Sequence, residues 1–80
     1  MLTGEQIRAA RALARIEQAQ LAELAGLSLP TIKRLERMVG LINANTSTEA
    51  AIRRAFGEAG VLFIDENGEG PGVRLKKVPA

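Results

Sequence analysis

The sequence predicts a mainly α fold: four short helices followed by a C-terminal two-stranded β-hairpin. Three observations point to it. The composition breaks near Gly60. Ala, Leu, Arg and Glu dominate before that residue, while β-formers and the run Asn67-Gly68-Glu69-Gly70-Pro71-Gly72 follow it. Two capping patterns, Thr3–Gln6 and Thr46–Glu49, open helical segments, and Gly26, Gly40 and Gly60 stand where such segments stop. Asn67-Gly68 lies between two strand-like runs, Val61–Ile64 and Gly72–Lys76, and so signals a hairpin.

The first helix is expected from Gly4 to Ala14 or Arg15. Thr3 is its N-cap, Gln6 the capping-box partner, and Leu2 and Ile7 the hydrophobic staple. Ile7, Ala10 and Ala14 share one face, with Leu13 beside them. Arg8, Arg11 and Arg15 recur three to four residues apart and form a basic ridge. Such ridges are usually solvated faces. The second helix spans Gln18 to Ala25, with Leu21, Leu24 and Ala25 turned inward and Gly26 as its stop.

Ser28 caps a third helix, with Pro30 tolerated in its first turn. Ile32 and Leu35 point inward from it, while Thr31, Lys33, Arg34 and Arg37 point elsewhere. Gly40 is expected to end it. Residues 41–45 form a loop. Thr46 and Glu49 then open the fourth helix, from about Ser47 to Ala59, whose apolar face holds Ala51 or Ile52, Ala55, Phe56 and Ala59.

Length and composition exclude several kinds of function. Eighty residues make one small domain with a marginal core, too small for a dinucleotide-binding fold. There is no Cys and no His, which removes disulfides, Cys/His zinc sites, thiolate nucleophiles and the usual general base. No catalytic residue, cofactor or metal site is expected, and the chain reads as a non-enzyme. Phe56 and Phe63 are the only aromatics, too few for a single-strand stacking platform. Gly68-x-Gly70-x-Gly72 lacks the phosphate-loop pattern and reads as a turn. Asp65, Glu66 and Glu69 lack a calcium-loop pattern and read as solvated carboxylates. No apolar stretch exceeds four residues and the first residues do not form a signal peptide. The expectation is a cytoplasmic protein without membrane contact.

The informative feature is the pair of short helices joined by Ala25-Gly26-Leu27-Ser28. The second has a capped N-terminus and a basic outer face, as a major-groove-reading helix-turn-helix requires. Residues 28–37 hold Lys33, Arg34 and Arg37 against Glu36 alone, so the net +2 of the chain is matched by this one segment.

Gln18-x-x-Leu21-Ala22-x-x-x-Gly26-x-Ser28-x-x-Thr31-Ile32-x-x-Leu35-Glu36 resembles the helix-turn-helix of the Cro and phage-repressor class, the XRE family. The resemblance covers roughly residues 3–59. The tail from Gly60 to Leu75 is similar to an extension of small stand-alone regulators of that class.

The resemblance implies a lambda-repressor-like bundle and a transcriptional regulator that reads double-stranded DNA. Gln18 would touch a phosphate. Ser28, Leu29, Pro30, Thr31, Lys33 and Arg34 would face the major groove, with Arg37 on the same basic side. Arg34 is the best candidate for guanine, because a guanidinium can bond O6 and N7 together. Leu29 or Pro30 could touch a thymine methyl. Asn43, Asn45 and Thr46 would hold the backbone beyond. Arg11 and Glu36 match a structural ion pair between the first and recognition helices. The chain departs from the family's usual residues at Glu17, where Ser or Thr is common, at Arg15, often Gly, and at the apolar Leu29-Pro30.

Residues 1–60 thus read as the DNA-binding domain and 61–80 as a hairpin tail. A two-stranded sheet is marginal alone, so Val61, Phe63, Val73 and Leu75 must pack somewhere. The expectation is a homodimer joined through these four residues, by strand pairing or hairpin exchange. The alternative is a hairpin folded back on the first and fourth helices of its own chain. A rival function is a protein-interaction module, antitoxin-like or an assembly partner, that keeps the fold without strong DNA binding.

Overall fold

A computed structural model of the protein describes residues 1–77. The order is α1 (Gly4–Ala14), α2 (Gln18–Ala25), α3 (Leu29–Glu36), α4 (Thr46–Glu58), β1 (Val61–Ile64) and β2 (Gly72–Leu75). Four helices and one antiparallel hairpin share a single core. Leu2, Ile7, Leu21, Ile32, Leu35, Ile52, Ala55, Phe56 and Val61 are all buried in it.

Local signals set most helix ends. Thr3 caps α1: its hydroxyl accepts the Gln6 N–H at 3.0 Å, and Gln6 Oε1 accepts the Thr3 N–H at 2.9 Å. At its other end Arg15 is left-handed, with φ 58°. Gly26 closes α2 at φ 68°, a conformation in which glycine meets no Cβ clash. Two ends differ from expectation. α3 stops at Glu36 with Arg37 as C-cap, not at Gly40, because the Met38 N–H tightens onto the Leu35 carbonyl. Gly40 instead serves the next turn, where its N–H meets the Glu5 carboxylate at 3.0 Å and its carbonyl accepts the Gly4 N–H. α4 is capped by Asn45, whose Oδ1 accepts the Thr48 N–H at 2.8 Å. Thr46 therefore lies inside the helix. Glu49 is not its capping partner and accepts the Leu2 N–H at 3.0 Å.

The α1 N-terminus lies hard against the end of α3. A Cβ on Gly4 would sit 2.1 Å from the Met38 carbonyl oxygen and 2.9 Å from that of Leu35. Only a residue without a side chain allows this approach. Thr3 also forms an antiparallel bridge with Leu41, and the Ile42 N–H reaches the Leu2 carbonyl. One inward-facing expectation fails. Leu24 is 40% exposed, because α2 packs through Leu21, Ala22 and Ala25. Those positions, i, i+1 and i+4, leave Leu24 at the margin of the buried stripe.

The hairpin folds back on its own chain. Its register pairs Val61 with Leu75, Leu62 with Arg74, Phe63 with Val73 and Ile64 with Gly72. Val61 is in the core, and Phe63 meets Phe56 edge-on with centroids 5.5 Å apart. The Gln6 amide donates to the carbonyls of Ile64 (3.2 Å) and Gly72 (3.0 Å), tying α1 to both strands. Three of the four residues assigned to a dimer contact are thereby occupied: Val61, Phe63 and Val73 pack against the monomer's core. Without a partner chain Val61 is fully buried, and Phe63 and Val73 are partly buried. Leu75 alone stays on the surface, at 58% exposure. The Asn67-Gly68 dipeptide lies within a longer connection between Ile64 and Gly72, with Gly68 at φ 100°. The last three residues of the 61–80 tail lie outside the described residues.

Candidate nucleic-acid interface

α3 is two-faced. Ile32, Leu35 and Glu36 are buried. Pro30, Lys33, Arg34 and Arg37 are exposed and recur at i, i+3, i+4 and i+7, which makes one continuous stripe along the opposite side. Ser28 caps the helix. Its Oγ accepts the Thr31 N–H at 3.2 Å and lies 2.8 Å from the Thr31 hydroxyl. Both hydroxyls are thus already engaged in the cap while remaining at its rim. Leu29 is half-buried and packs against the core, so it offers a new surface only in part. Arg34 leans toward the 41–45 loop, with Nη1 3.5 Å from the Asn43 carbonyl. Asn43, Asn45 and Thr46 are exposed on that side, but the Asn45 side chain is committed to capping α4.

Behind the stripe lies a buried carboxylate. Glu36 is 4% exposed. Its Oε2 accepts Arg11 Nε at 2.6 Å, and its Oε1 accepts Arg11 Nη2 at 3.0 Å and Gln18 Nε2 at 3.2 Å. This two-pronged pairing raises the Arg11 pKa above its ordinary value, chiefly through the hydrogen bond to Glu36. Arg11 also reaches the Ile16 carbonyl at 3.1 Å. One ion pair therefore locks α1, the start of α2 and the end of α3 together. Gln18, expected as a phosphate ligand, is held in place by Glu36 and is half-exposed.

Arg8 belongs here too, although its spacing reads as part of a solvated ridge. Its guanidinium donates to the Glu36 backbone carbonyl. Arg8, Gln18, Lys33, Glu36 and Arg37 line a notch of about 480 Å³. Three cations and an amide around one neutralised carboxylate make a surface suited to an anion. The signal for Arg8 was present in its three-residue spacing from Arg11, which puts both on the helix side that meets α3. Among the described residues no group of three or more acidic side chains could hold a metal ion, and no helix is long and apolar enough to cross a membrane. No protein-family model matches the chain, and no curated protein is significantly similar to it.

Proposed function

We propose that the protein is a sequence-specific DNA-binding transcriptional regulator with a lambda-repressor-like, XRE-type helix-turn-helix. The observation that carries this reading is the exposed stripe Pro30, Lys33, Arg34 and Arg37 on a capped α3 whose other face is anchored in the core. The capped end enters the major groove. Arg34 reads guanine, and Lys33 takes guanine or phosphate. The notch of Arg8, Gln18, Lys33 and Arg37 grips one phosphate, and Asn43 and Thr46 meet the backbone on the far side. Gln18 is oriented for this by Glu36. The reader acts as a homodimer on two half-sites.

Selection of bound sites from random double-stranded DNA, followed by a salt titration, tests this reading. The expected result is a two-fold motif with half-sites about ten base pairs apart and a log–log salt slope that reflects a few phosphates per subunit. The absence of any enriched sequence would sink the reading and favour a protein-interaction module. One observation speaks for that second reading: Val39 and Leu41, in the turn after α3, leave large apolar side chains 87% and 56% exposed.

A further inference from the structure

Between Ile64 and Gly72 the chain passes through Asn67-Gly68, and both residues are exposed. The fold engages little of this turn. The Asn67 N–H reaches the Glu69 carbonyl at 3.4 Å, beyond the usual amide range. Among the described residues the Gly68 N–H has no backbone partner. The side-chain bonds of this region run from Gln6 to Ile64 and Gly72 and from Arg53 to Asp65, and none involves Asn67. Gly68 has φ 100°, and a Cβ built on it would meet no atom within 4 Å. The turn stands clear of the rest of the described chain.

An asparagine followed by glycine carries its own nucleophile. Once the Gly68 backbone N–H has lost its proton, that nitrogen can attack the Asn67 Cγ. The new N–Cγ bond closes a succinimide ring, and the Cγ–Nδ2 bond breaks to release ammonia. Water then opens the ring. Opening at the backbone carbonyl leaves the chain running through the side-chain carbon, an isoaspartate. Opening at Cγ gives aspartate. One amide and one water become one carboxylate and one ammonium, so no oxidant, metal or catalytic group is needed. The step depends on how freely the nitrogen approaches Cγ, and glycine has no Cβ to crowd it. The other two asparagines lack these conditions. Asn43 precedes Ala44, and Asn45 precedes the β-branched Thr46. Asn45 also commits its Oδ1 to the Thr48 N–H at 2.8 Å and to the Ser47 hydroxyl at 2.9 Å.

We propose that Asn67 is a site of spontaneous deamidation in the folded protein, passing through a succinimide with Gly68 to isoaspartate and aspartate. The product adds a carboxylate to a connection that already holds Asp65, Glu66 and Glu69, and lowers the net +2 of the chain by one charge. Isoaspartate also lengthens the backbone by one carbon. The hairpin accommodates this because both ends of the connection are pinned. Gln6 holds the carbonyls of Ile64 and Gly72 at 3.2 and 3.0 Å, and Arg53 holds Asp65 at 2.9 Å. The modification uses none of the residues in the notch around Glu36, and it stands whether or not the protein reads DNA.

Ageing the full chain at mildly alkaline pH and body temperature, followed by peptide mapping in a mass spectrometer, tests it. The Asn67 peptide should gain about 1 Da, as an amide becomes a carboxyl. It should also accept methyl groups from S-adenosylmethionine through an isoaspartyl methyltransferase. The gain should come at least about tenfold faster than in the Asn43 and Asn45 peptides, because crowding at the nitrogen acts directly on the barrier. A parallel sample in urea separates the fold from the dipeptide. Unfolding should change the Asn67 rate by less than about threefold, since the native turn is already open, and should speed Asn45 by dissolving its cap. An Asn67 amide that survives in the native protein but not in urea overturns the proposal, because the turn then shields it. So does a mass gain spread equally over the three asparagines. Asn67→Ser changes an exposed residue and should abolish the acidic band that ageing produces in isoelectric focusing. Persistence of that band would place the chemistry elsewhere and would also overturn it.

Discussion

The α3 stripe and the hairpin are both amphipathic units attached to the same first helix, and they spend their polar groups in opposite ways. In the hairpin region the groups that meet the helices are satisfied within the chain. Gln6 bonds two strand carbonyls, Phe63 meets Phe56, and Asp65 meets Arg53. Along α3 the inward side is equally committed, through Glu36 and Arg11, but Lys33, Arg34 and Arg37 extend into solvent with no ion-pair partner among the described residues. A surface whose groups are internally matched stabilises the fold. A surface whose charges are left unmatched on a rigid support is free to recognise something else.

The sharpest way to break this contrast is at the joint beneath α3. Glu36→Ala leaves the Arg11 guanidinium without its partner and frees Gln18. Losing one member of a buried pair should cost about 3 kcal/mol, enough to shift a urea midpoint strongly in a domain this small. An unchanged midpoint would mean the pair is ornamental. In the hairpin, Phe63→Ala should cost about 2–3 kcal/mol through lost packing on Phe56. DNA affinity measured on the folded fraction should stay the same, because Phe63 lies away from the stripe.

Arg34→Ala should do the reverse. It should cost about 1–3 kcal/mol of specific DNA binding and relax one base position, while the urea midpoint moves by less than about 0.5 kcal/mol. If binding to every DNA stays as in the parent, Arg34 is not the reader. The smallest effect is expected at Arg15, whose left-handed backbone suits glycine. Arg15→Gly should stabilise by about 0.5–1 kcal/mol in thermal or urea unfolding, with no change in which DNA is bound.

Acid should act on the hairpin side first. Its own backbone N–H and that of Gly40 hold the Glu5 carboxyl below the usual range, and Arg53 does the same for Asp65. A lowered carboxylate pKa means stability that is present above the ordinary value and lost as pH falls through the folded one. The joins at Gly40 and at the Asp65–Arg53 pair should therefore loosen below about pH 4, where hydrogen exchange can locate them.

The sequence alone determined the features that act within one helical turn. Thr3 with Gln6, Ser28, the Gly26 stop and the two strand runs all appear where spacing places them, because a cap or a turn needs only its own few residues. The Arg11–Glu36 pair was legible too, through the resemblance of the motif, and its geometry follows that expectation. Tertiary structure decided what each surface meets. Leu24 turns outward, Glu49 leaves its expected capping role for Leu2, Arg8 joins the notch, and Val61 and Phe63 fill the monomer's own core. Gly4 is the clearest case. Its reading as an ordinary first-turn residue is blind to a carbonyl of α3 that a Cβ would strike. Local signals are encoded over three or four residues, but the partner of a face lies on another element. Only the packing of all six elements selects it.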